Sequence, residues 1–214
     1  MRGYFITGTD TNVGKTYVTC ALARRAVALG QRVFAFKPIE TGCAVGPSGD
    51  FVGADQEALA LAAGDWQRGS LRGLYRFPMP AAPSVAAIDY GAPPVDIAQI
   101  AATAASVPAD LTLVEGAGGW RVPVTDTADM GALASAVGLP VVIVARSGLG
   151  TINHTLLTVE AALRDGLSIA AVVMSQRPDE PAPHSNRDEI LRRWSGQVLV
   201  LREDLSVLDL LVAS

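Results

Sequence analysis

Residues 8–16, Gly8-Thr9-Asp10-Thr11-Asn12-Val13-Gly14-Lys15-Thr16, leave this chain few architectures to choose from. A short apolar run, Tyr4-Phe5-Ile6, precedes them, and apolar residues at helical spacing follow. The implied geometry is strand, tight glycine-containing turn, helix N-terminus. Unpaired N–H groups and the positive end of the helix dipole favour a phosphate there, and glycines let the backbone approach it. In such a loop Lys15 reaches the terminal phosphates, and the Thr16 hydroxyl takes a place on the magnesium that accompanies a nucleotide. The common spacing G-x-x-x-x-G-K would put a glycine at position 9. That residue is Thr9, with the glycine one step earlier at Gly8, so the loop is a longer variant.

With 214 residues, 50% of them hydrophobic, the chain has material for one large domain, residues 1–214, around a sizeable core. Its formal net charge of −4 and scattered Lys and Arg give no basic stripe, which argues against nucleic acid as a partner. The 2 cysteines, Cys20 and Cys43, stand in neither a metal nor a redox spacing, and Cys20 falls on the inner face of the first helix. A reducing, cytoplasmic compartment is expected. The N-terminus enters a strand with no secretory pattern, and no apolar run is long enough to span a bilayer, so neither export nor a membrane is expected.

Helical periodicity runs over residues 16–29, stopping at Gly30, and is followed by a β-rich run at 32–36 that ends on Lys37-Pro38. Residues 41–53, rich in Gly, Ser and Pro, read as a mobile loop before a helix at 55–63. Residues 78–94 are rich in proline and read as a long irregular crossing, not a central strand. Further helices are expected at 96–106, 130–137, 152–164 and 187–194, and further strands at 111–114, 140–144, 169–174 and 198–201. The strands are continuous apolar runs alternating with helices. That pattern predicts an α/β fold with a mostly parallel sheet covered by helices on both faces, and ligands beyond the carboxyl ends of the strands. Lys37, Glu115, Ser147 and Ser175 stand at such ends.

Glu115 closes an apolar strand and is followed by Gly116-Ala117-Gly118-Gly119. A carboxylate there is placed to orient the nucleotide's metal, and the small residues keep bulk out of the site. Asp55 has two readings of equal weight, a second metal ligand or a first-turn acid favoured by the helix dipole. Lys37 taken alone could be a lysine snorkelling at a strand end.

Four blocks together resemble the dethiobiotin synthetase family: residues 8–16, Lys37-Pro38-x-x-Thr41-Gly42, Val114-Glu115-Gly116-Ala117-Gly118-Gly119, and Gly150-Thr151-Ile152-Asn153-His154-Thr155. They occur in family order and spacing over residues 3–175. The resemblance implies a P-loop fold and an ATP- and magnesium-dependent carboxylase of biotin biosynthesis with no organic cofactor. In that family 7,8-diaminopelargonate takes up CO2 as a carbamate, ATP converts it to a mixed anhydride, and the second amine closes the ureido ring. It further implies that Lys37, Lys15 and Thr11 take part in catalysis, and that Thr16, Asp55 and Glu115 hold the metal. Thr9, Asn12, Val13, Gly14, Lys15, Thr16, Tyr17, Ser175 and Gln176 would face the nucleotide. Thr11, Lys37, Thr41, Gly118, Leu149, Gly150, Asn153 and Arg187 would face the diamine, the helix start near 150 acting across a homodimer interface.

The chain departs from the family pattern at Asn12, where several members carry glutamate, and at Ser175-Gln176, where an Asn-Asp pair often reads the adenine. Arg187 stands near a place held by tyrosine in some members. It has two readings, a bidentate partner for the substrate carboxylate or a solvated helix residue. His154 is read as a packed or hydrogen-bonded helix residue, not a base. Two rivals remain. An amide-forming ligase of the cobyrinate type is expected to continue into a glutaminase domain, and a nucleotide-switch ATPase to carry an additional lysine near the start of the loop, where this chain has residues 7–10.

Overall fold

In the computed structural model residues 1–175, 185–202 and 204–213 are described. The chain opens with β1 (Gly3–Gly8), α1 (Lys15–Ala28) and β2 (Val33–Phe36). A small excursion follows: β3 (Ile39–Thr41), the hairpin β4 (Ala44–Val45) and β5 (Phe51–Val52), α2 (Ala54–Ala62), β6 (Tyr75–Phe77) and α3 (Pro83–Tyr90). The chain then alternates through α4 (Ile97–Ser106), β7 (Leu111–Gly119), α5 (Met130–Val137), β8 (Val141–Arg146), α6 (Thr151–Arg164) and β9 (Ile169–Ser175). It ends with α7 (Ser185–Arg193), β10 (Val198–Leu201) and the short α8 (Asp209–Val212).

Six strands form one sheet in the order β10-β9-β8-β1-β7-β2. Every pairing in it is parallel. Because successive residues of a strand point to opposite faces, a parallel sheet clad on both sides needs apolar residues at both parities. Phe5, Phe34, Phe36, Val141 and Ile143 join one core cluster with α4, α5 and α6, whereas Ile6, Val33, Ala35, Val142 and Val144 join the other with α1 and α8. β1 lies between β8 and β7, so the loop leaving Gly8 emerges at the middle of the sheet's carboxyl edge.

Local chemistry sets several boundaries. Asp96 caps α4 by accepting the Gln99 N–H at 2.9 Å, and Asp129 caps α5 by accepting that of Ala132 at 3.0 Å. Residues 78–94 are not irregular throughout, because they contain α3. Pro83 occupies its first turn, where a fixed φ suits the helix, and Gly91 closes it at φ 68. Residues 41–53, expected as a loop, contain the short hairpin: the Gly46 N–H donates to Asp50 O at 2.8 Å, and Phe51 packs edge-on against Tyr90 at 5.3 Å. The strand expected to end at 114 continues as β7 to Gly119, which pairs with Gly8 across a bulge in register. Glu115 therefore lies within a strand, opposite Ile6.

Leu133 on α5 is fully buried, whereas Leu61 on α2 is 63% exposed. Leu133→Ala should lower the unfolding free energy by about 2–5 kcal/mol and Leu61→Ala by less than about 0.5 kcal/mol, read from denaturant midpoints at constant m.

Candidate active site

The turn from β1 into α1 is built on backbone freedom. Asn12 sits at φ 58 and Gly14 at φ 96, both left-handed, and α1 has neither a capping side chain nor an acidic residue in its first turn. Its leading N–H groups are left for an anion. A Cβ on Gly8 would lie 2.8 Å from Asp10 O, and one on Gly14 only 2.7 Å from Ser175 Oγ. Lys15 folds back along the loop, donating from Nζ to Asp10 O at 3.0 Å, and is buried. Burial pulls its ammonium down to about 8, and the neighbouring Lys37 charge adds to that shift.

Lys37, one residue beyond β2, sends Nζ to two carboxylates, Asp55 Oδ2 at 2.7 Å and Glu115 Oε1 at 2.8 Å. Burial is the largest single influence on this ammonium and lowers its pKa, but the two carboxylates together outweigh it and hold the group charged, with a net upward shift. Desolvation pushes Asp55 up, and Lys37, helped by Thr16 and Lys15, more than reverses it, leaving a net downward shift. Glu115 has no solvent exposure. Its Oε1 also accepts from Thr16 Oγ at 2.8 Å, and Thr19 Oγ lies 2.6 Å from Oε2. Two of the three ammonium donors of Lys37 are thus engaged by acids. Of the two readings of Asp55, its place on Lys37 makes it part of the site, although it also stands in the first turn of α2.

Three participants escaped the sequence reading. Thr19 holds the far oxygen of Glu115. Glu40, in β3, accepts the N–H groups of Asp55 at 3.0 Å and Gln56 at 2.8 Å. Gln56 Nε2 donates to Lys37 O at 3.0 Å. A signal for Glu40 was present in the sequence: α2 begins after Gly53, with no Ser, Thr, Asp or Asn at the cap, so an acceptor had to come from elsewhere. The hydroxyl of Thr19 sits one turn after Lys15 on the face of α1 that Thr16 begins, a spacing that could have flagged it.

Lys15, Thr16, Lys37, Glu40 and Asp55 line a cavity of about 340 Å³, together with Thr11, Asn12, Gly14, Tyr17, Thr41 and Gly118, whereas Glu115 stands behind its wall. A second cavity of about 550 Å³ shares Thr11, Asn12, Thr41 and Gly118 with it and extends along Pro80, Ala81, Pro83, Val122 and Pro123. Gly118, at φ 66, keeps the join open: a Cβ there would lie 2.7 Å from Val122 Cγ2 and 3.7 Å from Thr11 Oγ.

The remaining expected residues distribute unevenly. Thr9 is tied to the sheet edge, its N–H donating to Val144 O at 2.9 Å, and Val13 is buried beneath the loop. Tyr17 reaches from the cavity to Arg202 O at 3.2 Å. Ser175 is buried behind Gly14 and does not line the cavity, and Gln176 lies outside the described residues. Leu149, Gly150 and Asn153 are not brought to either cavity: they start α6, and Leu149 is 96% exposed. Arg187 is not brought there either. Its Nε donates to Val198 O at 3.1 Å, at the amino end of β10 and so away from the carboxyl edge, which favours its helix-residue reading. His154 is exposed instead of packed.

Known proteins place this chain in a family. The family model described as an AAA domain matches residues 2–203. ATP-dependent dethiobiotin synthetase BioD of Anaeromyxobacter dehalogenans (strain 2CP-C) is 42% identical over 205 residues, covering 94% of this chain and 89% of that protein. The enzyme of the same name from Rhodococcus erythropolis is 40% identical over 196 residues, covering 89% and 83%. Among solved structures, the MinC:MinD cell division protein complex of Aquifex aeolicus aligns with TM-score 0.58 at 14% identity, over 100% of this chain and 86% of that one. That likeness speaks for the P-loop α/β fold alone. With relatives this similar over nearly their whole length, the chain belongs to the ATP-dependent dethiobiotin synthetase family.

Proposed function

We propose that this protein is a ligase that makes dethiobiotin from 7,8-diaminopelargonate, CO2 and ATP. One neutral amine forms a C–N bond to CO2 and loses a proton, giving a carbamate. A carbamate oxygen takes the γ-phosphoryl group and ADP leaves. The second amine then attacks the activated carbonyl, closing the ureido ring and expelling phosphate. The observation that carries the reading is Lys37, an ammonium held charged at 2.7 and 2.8 Å from two acids, in the same cavity as the phosphate loop, Thr11 and Thr41. Its third N–H is free, among the described residues, to donate to a ligand oxygen. A cation there depresses the pKa of a nearby amine and stabilises the carbamate anion. Lys15 and the N–H groups of α1 supply the remaining positive field for phosphates.

The paired cavities support two substrates. The lysine-lined chamber suits phosphates and carbamate, and the chamber along Pro80, Ala81, Pro83, Val122 and Pro123 suits an aliphatic chain. The donor set fits magnesium as well. Thr16 and Asp55 offer hard oxygens to the cavity, and the third expected donor, Glu115, stands behind them without exposure, joined to Thr16 at 2.8 Å. When bound, magnesium would neutralise charge on the phosphates. Gly150 starts α6 in a left-handed conformation without a side-chain cap, and Leu149 beside it is exposed. We assign that helix start, with Asn153, to the substrate carboxylate of a second protomer in a homodimer. A cytoplasmic setting accords with two free, buried cysteines.

The deciding measurement is nucleotide hydrolysis with and without the diamine and bicarbonate, the product being identified by mass. Hydrolysis indifferent to the diamine would instead favour a nucleotide-switch ATPase. Lys37→Gln should lower coupled turnover by about 10²–10³-fold, and because it strands the buried Glu115 it should also cost about 3–5 kcal/mol of stability. Retained ADP binding by the same variant checks that it is folded.

The pH dependence separates the two lysines. The free protein carries Lys15 as an ammonium below about 8 and as a neutral amine above it. ADP affinity measured by calorimetry should therefore fall as pH rises through about 8, and Lys15→Gln should remove that inflection. Lys37, whose pKa is raised, should add none in the same range.

A further inference from the structure

We infer that Glu40 is a positioning residue that fixes the first turn of α2 so that Asp55 meets Lys37 and the place assigned above to magnesium. This rests on the metal reading of Asp55 and goes one layer behind it. α2 has no cap of its own, since its cap residue is Gly53. A Cβ at Gly53 would lie 2.4 Å from Glu40 Oε2, so glycine clears the way for an acceptor arriving from β3. Glu40 is 7% exposed, and its two oxygens accept from the Asp55 and Gln56 N–H groups at 3.0 and 2.8 Å. These are the donors that a local capping side chain would have taken.

The source of the acceptor is what matters. Glu40 stands three residues after Lys37, and Gln56 Nε2 ties the same turn of α2 to Lys37 O at 3.0 Å and Tyr75 O at 3.3 Å. A Cβ on Gly73 would lie 2.0 Å from that Nε2, so a second glycine clears the second tie. The turn that carries Asp55 is thus bolted, from two sides, to the segment that carries Lys37. A local serine or aspartate cap would stabilise the helix equally well but would leave it free to shift against Lys37. Asp55, 41% exposed at its side chain, has little packing of its own to hold it.

Calorimetric titration of the full-length protein with ADP, with and without magnesium, tests this. Glu40→Ala should weaken ADP binding about 10–100-fold with magnesium and less than about twofold without it, as for a residue that orients a metal ligand. Glu40→Gln, which keeps one acceptor oxygen, should restore part of the loss, and amide exchange at Asp55 and Gln56 should quicken in the alanine variant. A parent-like magnesium effect in Glu40→Ala would overturn the inference, as would an equal loss with and without the ion, which marks a merely structural cap. Asp55→Asn is the control. If it abolishes the magnesium effect while Glu40→Ala does not, only the role of Glu40 fails; if it leaves the effect intact, the metal reading of Asp55 fails first.

Discussion

Everything at the carboxyl edge of the sheet depends on one ammonium placed between two carboxylates. Glu115 has no exposure, and a carboxylate at that depth without a partner would cost several kcal/mol. Lys37 satisfies it and, through its second bond, draws Asp55 from a different helix to the same point. β2 and β7 are neighbours in register, Phe36 opposite Val114, so the residues that follow each, Lys37 just beyond β2 and Glu115 still within β7, lie side by side. Strand pairing brings the two charges together, and the ion pair in turn allows a charge to sit inside the strand.

The two lysines of the site are in different electrostatic states for the same reason. Both are buried, and burial lowers the pKa of both. Lys37 is compensated by two acids in hydrogen-bond contact, whereas among the described residues Lys15 finds only a carbonyl, Asp10 O, at 3.0 Å. A lysine without a contacting anion, at the mouth of a helix whose first turn has no acidic residue, is a group whose counterion is to arrive with the ligand. Lys37 already has its counterions within the protein and keeps a third donor for a ligand.

Much of this was legible in the residues. The parallel sheet followed from apolar runs with no alternation, and the phosphate loop from Gly8, Gly14, Lys15 and Thr16 between a strand and a helix. Lys37, Asp55 and Glu115 were each singled out, but their mutual contact was not readable, because it depends on β7 being inserted between β1 and β2, an order that no local pattern encodes. Glu40 and Thr19 were missed because they act on other protein groups, and their only traces, an uncapped helix start at Gly53 and a hydroxyl three residues after Thr16, are indirect. α3 was hidden because prolines at 80 and 83 masked a helix that in fact starts on one of them. Leu149, Gly150, Asn153 and Arg187 came from resemblance alone, and the geometry of one chain brings none of them to the cavities.

The two acids that meet Lys37 are not equivalent. Glu115 is held at both oxygens, by Lys37 and Thr16 on one and by Thr19 on the other, from within a strand of the central sheet. Any displacement of its carboxylate would break bonds to α1 and to Lys37 together. Asp55 belongs to a nine-residue helix outside the sheet and has 41% side-chain exposure. Whatever small adjustment the site makes to a ligand must therefore be taken up on the Asp55 side, with Glu115 as the fixed reference. That asymmetry gives the outside cap on α2 its sense: the more exposed acid is the one whose backbone needs to be anchored from elsewhere, and the anchor comes from the strand that follows Lys37.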